Sequence, residues 1–473
     1  MCDIEKTAGQ VLSEKLTYSV PNAGEKLSEA EIKVADDFCE GYKDYLNAAK
    51  TERESVNYFV ALAEKEGFVP FDADKKYSAG DKVYYNNRGK SLILAVIGKK
   101  SVAEGVRIVA AHIDSPRLDL KPNPLYEDND IALFKTHYYG GIKKYQWTAI
   151  PLSLHGVVAK KDGTTVEIRI GEDAGDPVFC VTDLLPHLAT EQVQRKLSEG
   201  IKGEELNILV GSRPFNDDKA SEKVKLNILN ILNEKYDITE GDFLSAELEV
   251  VPAFEARDIG FDRSMIGAYG HDDRVCAYPA VMASFKNTDP EQTTVTVLAD
   301  KEETGSEGNT GLDSSFLRYF IEDLAAAEGV SPRKVFTNST CLSADVNAAF
   351  DPTFPEVNER RNCAYLNKGA VITKYTGSRG KGGTSDASAE FMGKVRAILD
   401  RHNVIWQTGE LGRVDLGGGG TVAKYIAHLN VDVVDLGVPV LSMHAPYEIV
   451  SKTDVYMTYL ACDAFYNDCS EAK

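Results

Sequence analysis

The apolar positions along the chain change period several times, and these changes divide it into elements. Residues 28–67 carry apolar side chains at helical spacing, which predicts two amphipathic helices. Ser28 with Glu31 and Thr51 with Glu54 each match the pattern in which a hydroxyl and a carboxylate occupy free amides at a helix start. Gly67 supplies a stop for the second helix. From 82 to 97 the period drops to two, and Asn87-Arg88-Gly89 predicts the turn of a hairpin. Val106 to Ala111 is apolar on both faces, as a buried parallel strand is.

Near residue 121 the character changes. Lys-Pro-Asn-Pro-Leu-Tyr opens a stretch of short strands, including a hairpin that turns at Asp162-Gly163. A polar, helical section is expected at about 186–235, and alternation returns near Leu248–Val251. Beyond Ile266, strands alternate with helices: Thr294–Ala299, a helix near 313–328, a strand Val335–Leu342, a helix near 386–401, and Val433–Leu436. The expected fold is α/β, a mixed-sheet domain (1–121 and 253–473) with helices on both faces, interrupted by a mainly β module at 122–252.

At 473 residues the chain exceeds what one core normally holds, which agrees with two domains. With 43% hydrophobic and 27% charged residues, its composition is that of a globular protein. The 73 acidic against 53 basic residues give a net charge of −20, a field that repels nucleic acid and anionic lipid. Eight cysteines, Cys2 among them, are scattered without a Cys-x-x-Cys pair and read as reduced thiols. The first residues lack the basic and apolar segments of a secretory leader, and no apolar run reaches spanning length, so a cytoplasmic location is expected.

Five side chains able to bind metal sit just past apolar runs: His112, Asp272, Glu303, Asp345 and His444. Open α/β sheets hold ligands beyond the carboxyl ends of their strands, and two His with three carboxylates suit a two-metal hydrolytic centre. Asp114, two residues past His112, is the right type to hold the second ring nitrogen of that imidazole. Asp272 and its neighbour Asp273 compete for one role, and either can also act as a helix N-cap. Glu302 and Glu303 are adjacent carboxylates, which repel unless a cation or proton lies between them. One can bind metal while the other moves a proton. An arbitrary Glu-Glu pair is more often a solvated turn, and a lone His a satisfied core group; here the combination carries the argument. The glycine runs at 377–383 and 417–420 do not fit phosphate-loop spacing and read as loops that approach a site closely. Neither His-Glu-x-x-His nor Gly-x-Ser-x-Gly occurs.

The motifs Ala-His-Ile-Asp-Ser-Pro-Arg-Leu (111–118), Asp-Phe-Leu-Ser-Ala-Glu-Leu-Glu (242–249), Ala-Arg-Asp-Ile-Gly-Phe-Asp-Arg-Ser-Met-Ile (256–266), Glu-Glu-Thr-Gly-Ser (302–306), Ser-Ala-Asp (343–345) and Leu-Ser-Met-His (441–444) resemble the aspartyl aminopeptidase and yeast vacuolar aminopeptidase I family. That family comprises dinuclear zinc exopeptidases. The resemblance covers nearly all of the chain beyond residue 80. It implies a zinc-exopeptidase-like catalytic domain and removal of N-terminal residues from peptides. It also implies two divalent ions, zinc foremost with manganese or cobalt as alternatives. One ion would be held by His112, Asp272 and Asp345, the other by Asp272, Glu303 and His444, with Glu302 as general base and Asp114 orienting His112. It further implies an insertion used for dimerisation, a dodecamer built from dimers, and an insertion histidine near the site, for which His187 is the candidate. Glu191 stands where relatives carry a second histidine.

Some positions depart from the pattern. Gly-His-Asp-Asp-Arg replaces the usual Arg-Leu-Asp-Asn, with Asp272 aligned to the bridging carboxylate and Asp273 as second choice. The histidines that usually follow the Asp345 position are missing, and 374–391 and 417–420 also differ from acid-preferring members. Lys374, Arg379 and Lys381 can bind an acidic side chain or be solvated loop charges, so side-chain preference is open. Rival readings are a two-metal carboxypeptidase or amide deacylase, and a non-enzymatic assembly protein.

Overall fold

The computed structural model describes residues 6–469. Its largest sheet has nine strands, in the order Val69–Pro70, Lys82–Asn87, Ser91–Val96, Thr294–Ala299, Arg107–His112, Thr340–Ser343, Asp432–Gly437, Ala370–Thr373 and Trp406–Thr408. The middle four run parallel, and their immediate neighbours on each side run antiparallel to them. Ser91–Val96 and Thr294–Ala299 are buried along their whole length. That is why these strands read as continuous apolar runs.

Alternate residues of this sheet feed two cores. Leu92, Leu94, Val109, Ala111 and Leu342 pack with helices Glu29–Ala48, Glu52–Lys65, His271–Lys286, Ala389–Arg401 and Lys452–Asn467. Ile93, Ala95, Ile108, Ala110 and Cys341 pack on the other face, with Phe316–Glu328, Pro332–Asn338 and Ala423–Ala427. Ser28 and Thr51 cap the first two helices, each in a reciprocal capping box with Glu31 and Glu54. Arg88 and Gly89 both adopt positive φ at the tip of the 82–96 hairpin.

A second sheet has seven antiparallel strands: Thr165–Ile170, Leu152–Ala159, Ala246–Pro252, Arg117–Asp128, Ile131–Tyr139, Ile208–Gly211 and Cys180–Val181. It has its own core around Leu118, Phe134, Trp147, Leu152, Leu248 and Val250. Its first strand starts at Arg117, before the change of character at 121. Pro122 and Pro124 fall where the register with Ile131–Tyr139 shifts, between Leu120 and Leu125, since proline cannot donate to a ladder. A third sheet of five strands (Arg257–Ile259, Met265–Ala268, Glu448–Ser451, Pro439–Leu441, Asn347–Ala348) packs beside the first.

Two elements differ from the sequence reading. Val335 belongs to a helix, Pro332–Asn338, and the strand is only Thr340–Ser343. Pro332 at the first helical position favours that start, and the buried Val335 and Phe336 anchor the short helix on the sheet. Only Lys223–Tyr236 is a substantial helix in the section expected to be helical. Before it come short turns and the strand Ile208–Gly211, which gains partners on both sides through tertiary pairing that no local pattern reveals. Among the described residues no helix is long and apolar enough to cross a membrane. The seven described cysteines are free, and Cys2 lies outside the described residues.

Candidate metal centre

Parallel register brings the chemistry to one edge of the large sheet. Ala299 pairs with His112, so the segment carrying Glu302 and Glu303 leaves its strand beside that imidazole. Ser343 pairs with Ala110 on the other side and delivers Asp345 two residues later. Asp272 comes from the start of helix His271–Lys286, just past Gly270, whose φ is 69°. A Cβ at Gly270 would lie 2.7 Å from Ser115 Oγ and closer still to the Arg274 guanidinium. Arg274, fully buried, ties this turn by donating to the carbonyls of Ala49, Tyr269 and Gly270. The peptide bond between Asp272 and Asp273 is cis. His444 follows the third-sheet strand Pro439–Leu441, with a left-handed backbone at φ 64°.

Asp272 spans the two imidazoles. Its Oδ1 is 3.1 Å from His112 Nε2 and its Oδ2 is 3.2 Å from His444 Nε2. Glu302 Oε2 and Asp345 Oδ1 each lie 3.9 Å from His112 Nε2, and Glu303 Oε1 is 3.5 Å from His444 Nε2. Asp114 is fully buried; its backbone carbonyl accepts from His112 Nδ1 at 3.0 Å, its Oδ1 lies 3.3 Å from the same nitrogen, and its carboxylate accepts the backbone N–H groups of Glu302 and Glu303. Asp273 faces the strand instead, accepting the N–H of His112 at 3.3 Å, though it also falls within reach of His112 and Asp345. All five sequence-predicted ligands, with Glu302 and Asp114, therefore meet in one cluster.

The crowded carboxyls of the cluster call for protons or cations between them. Burial, reinforced by Asp272, pushes Glu303 well above the usual carboxyl range, and burial with Asp273 nearby does the same to Asp345. Glu302 rises to about 7 through burial, with Asp114 and Asp272 adding to the shift. Burial opposes a charged His112, but hydrogen bonds with Asp114 and Asp272 outweigh it and raise the imidazole well above its ordinary value. These are the signs expected when carboxylates crowd together in low dielectric. Glu303 Oε1 and Asp273 Oδ1 are buried and accept no hydrogen bond. Three groups of donors have ligand atoms within 4.8 Å of one another: His112, Asp273 and Asp345; His112, Glu302 and Glu303; Asp272, Glu303 and His444. Imidazole nitrogens and carboxylate oxygens in such a set fit zinc and its first-row neighbours.

Other predicted residues lie elsewhere. His187 sits on the exposed turn Pro186–Leu188, outside the lining of this centre. Lys374 and Lys381 both pair with Asp386, at 2.6 and 2.8 Å, and Arg379 and Lys381 line a neighbouring hollow. His271 is a core group, bonded to Tyr42 and the Ile266 carbonyl, and burial lowers its pKa to about 3. Gly418, Gly419 and Gly420 do line the cavity beside the centre. Sequence reasoning missed three contributors. Glu448 accepts the N–H groups of both Asp272 and His444, while Tyr139 and Gly141 reach the centre from the seven-stranded sheet. The only signals for them were an acidic residue in an apolar strand and a Tyr-Gly-Gly at a strand end.

The aminopeptidase I zinc metalloprotease (M18) family profile matches residues 45–466. A probable M18 family aminopeptidase 1 from Clostridium acetobutylicum is 51% identical over 455 residues, covering 94% of this chain and 98% of that one. The crystal structure of an M18-family aminopeptidase from Thermotoga maritima superposes with a TM-score of 0.91 at 45% identity, covering 95% of this chain and all of that chain. The S. cerevisiae mApe1 dodecamer shares the fold at a TM-score of 0.73 and 21% identity, over 93% of this chain and 97% of its own. With matches of this extent, the chain belongs to the aminopeptidase I zinc metalloprotease (M18) family.

Proposed function

We propose that this metalloaminopeptidase works through two divalent ions, zinc or else manganese or cobalt, that share Asp272. The observation that carries this reading is the span of Asp272 across both imidazoles, 3.1 Å to His112 and 3.2 Å to His444. Asp345 completes the donors on the His112 side and Glu303 those on the His444 side. When bound, such ions would supply Lewis-acid polarisation of the scissile carbonyl and make a water easier to deprotonate near neutral pH.

The rest of the work falls to the chain's own side chains. Glu302 stands free of the bridging role, with 18% of its side chain exposed against 3% for Glu303. It takes the proton of the attacking water and returns it to the leaving amine. Asp114 keeps the His112 ring turned so that Nε2 faces the centre. Replacing Glu302 by Gln should retain bound metal while lowering turnover by roughly 10²–10⁴-fold. Metal analysis alongside steady-state kinetics tests this, and near-normal turnover would reject the role.

The adjoining cavity, about 210 Å³, supports a preference for neutral N-terminal residues. Val346, Thr373, Leu411, Thr421 and Met443 line it, and among the described residues no Lys or Arg does. Asp435 backs it, with a carboxyl that burial raises to about 6 while Thr421 donates to it. An acidic substrate side chain would face Asp435, Glu302 and Asp345 with no Lys or Arg in the lining to offset them. A panel of aminoacyl anilides tests the preference; faster cleavage of acidic substrates would overturn it. An amine-blocked analogue of a good substrate should resist cleavage, which separates the aminopeptidase from a carboxypeptidase or deacylase.

The seven-stranded sheet is the proposed dimerisation module of a homo-oligomer, a dodecamer built from dimers. Exposed apolar residues support this: Val178, Leu184, Leu185, Leu188 and Val193 cluster in sequence around His187. Apolar side chains concentrated in one exposed segment suit a face that another copy covers. His187 is proposed to approach the centre of a neighbouring copy. Free thiols support a reducing, cytoplasmic setting.

A further inference from the structure

We propose that Tyr139, Gly140 and Gly141, at the end of the seven-stranded sheet's strand Ile131–Tyr139, form a positioning element that sets both imidazoles of the metal centre. The proposal rests on the two-metal reading above.

Two of the three residues hydrogen-bond to members of the centre, and the glycine between them leaves the space beside Glu303 open. Tyr139 Oη donates to Asp114 Oδ2 at 2.7 Å. That carboxylate already holds the N–H groups of Glu302 and Glu303, and Tyr139 completes its set of donors, which fixes the residue whose backbone carbonyl, at 3.0 Å, and Oδ1, at 3.3 Å, both meet His112 Nδ1. Asp114 is 0% exposed, and without the phenol one side of a buried carboxylate would lose a donor that water does not replace. Gly141 acts on the other imidazole. Its carbonyl lies 2.8 Å from His444 Nδ1, and a carbonyl only accepts, so the proton sits on Nδ1. With Nδ1 committed to Gly141, Nε2 is the ring nitrogen turned to the centre, beside Asp272 and Glu303, where it would take a metal ion. His444 needs that restraint, because 36% of its side chain is exposed. Gly140 lies between the two contacts. Its φ is 74°, and a Cβ there would come within 3.1 Å of Glu303 Oε2 and 3.3 Å of Glu303 Cβ.

The element is itself held from behind. The Arg117 guanidinium lies 3.9 Å from the centroid of the Tyr139 ring and is fixed in turn by Asp119, Glu249 and Glu52. Arg117 opens the strand that pairs with Ile131–Tyr139, and Arg117 is the register partner of Tyr139. The inserted sheet thus reaches the metal centre through one rigid strand end rather than through a loose loop.

The test uses the full chain and zinc alone as the probe. Tyr139→Phe removes only the hydroxyl; Gly140→Ala places a methyl against Glu303. Zinc affinity is measured by competition with a chelating dye, and kcat and KM on a good anilide substrate. Outer partners of metal-bound histidine are worth about 10–100-fold in affinity or activity. Tyr139→Phe is expected to weaken zinc binding and lower kcat in that range, with KM within about twofold of the parent. Gly140→Ala is expected to weaken zinc retention in the same direction. Tyr138→Phe, at the exposed neighbouring ring, should change neither. A parent that binds zinc while Tyr139→Phe and Gly140→Ala bind it equally well overturns the positioning role alone. Equal losses in Tyr138→Phe and Tyr139→Phe also overturn it. A parent that binds no zinc sinks the two-metal reading, and this inference with it. If Tyr139→Phe does not fold, unchanged zinc affinity in Gly140→Ala is sufficient to reject the proposal.

Discussion

The two large sheets of this molecule contribute to the same centre in different ways. The nine-stranded sheet is buried on both faces, and its central parallel strands bring His112, Asp345 and the Glu302-Glu303 turn to a common edge. The seven-stranded sheet alternates, as the mixed burial of Ile131–Tyr139 shows, with one face on its own core and much of the rest exposed. It offers one short segment to the centre, and exposed apolar residues including Val178, Leu184 and Leu188 flank its edge strand Cys180–Val181. A doubly covered sheet holds side chains still from both sides, which suits groups that must meet within a few ångströms. A singly covered sheet keeps a face available for another chain.

The seam between them is polar. Lys50 pairs with Glu172 at 2.8 Å, His155 links Glu54 and Glu172, and Lys90 and Arg53 meet Glu247. The Lys50–Glu172–His155 group is largely buried, where the cost of desolvation offsets much of the attraction, while Glu247 is half exposed. Matched charges thus span the two regions, each of which has its own apolar core.

The largest effect is expected from damage to one core, read out in both sheets. Trp147 is fully buried in the inserted core and packs edge-on against Tyr269, next to the Gly270 turn. Trp147→Ala should cost about 3–5 kcal/mol in chemical denaturation, concentrated in the seven-stranded region. Hydrogen exchange should report faster opening of that sheet than of the nine-stranded one. Uniform loosening of both would contradict separate cores.

A smaller effect comes from the seam. Burial opposes ionised Glu172, but His155 and Lys50 outweigh it and hold the carboxyl at about 2. Its contribution is present above the unfolded carboxyl value near ~4.5 and is lost as pH falls toward 2. His155 is shifted the opposite way. Burial works against its charge, yet Glu172 and Glu54 raise its pKa, so its contribution is complete below ~6.5 and fades as pH rises through the folded value. Arg169 also faces Glu54, at 3.8 Å. Stability attributable to the seam should therefore peak between about 4.5 and 6.5, with losses on the order of 1–3 kcal/mol at the acid end. Urea denaturation across pH checks this, and a Glu172→Gln chain should lose the acid limb of the dependence.

The smallest effect sharpens the reading of specificity. Lys374 and Lys381 are committed to Asp386 and are largely exposed, so removing either should change kcat/KM for neutral substrates less than about twofold. A selective loss on acidic substrates would return these lysines to the specificity pocket.

Much of this arrangement was legible in sequence because burial writes itself into period. The strands Thr294–Ala299 and Arg107–His112, the capped helices and the 82–96 hairpin all follow from local pattern and turn chemistry. The five metal-capable residues stood out because each ends an apolar run. What escaped were contacts created by topology. Ile208–Gly211 is a strand only because two neighbours pair with it, and Pro332–Asn338 is a helix despite its β-branched Val335. Tyr139 and Gly141 lie 25 and 27 residues from Asp114 and come back to it, and to the more distant His444, only through the pairing of two long strands. Gly-His-Asp-Asp-Arg gave two candidate aspartates in sequence. The fold turns one across both imidazoles and the other toward the backbone of His112.

The central claim is that two ions share Asp272, between groups drawn from distant parts of the chain. Anomalous diffraction at the zinc edge, on crystals of the full chain grown with zinc, tests it most directly. The account predicts two peaks about 3.5–4 Å apart on either side of the Asp272 carboxylate, one nearer His112 and the other nearer His444. A single peak away from Asp272, or two ions in separate cavities, would contradict it.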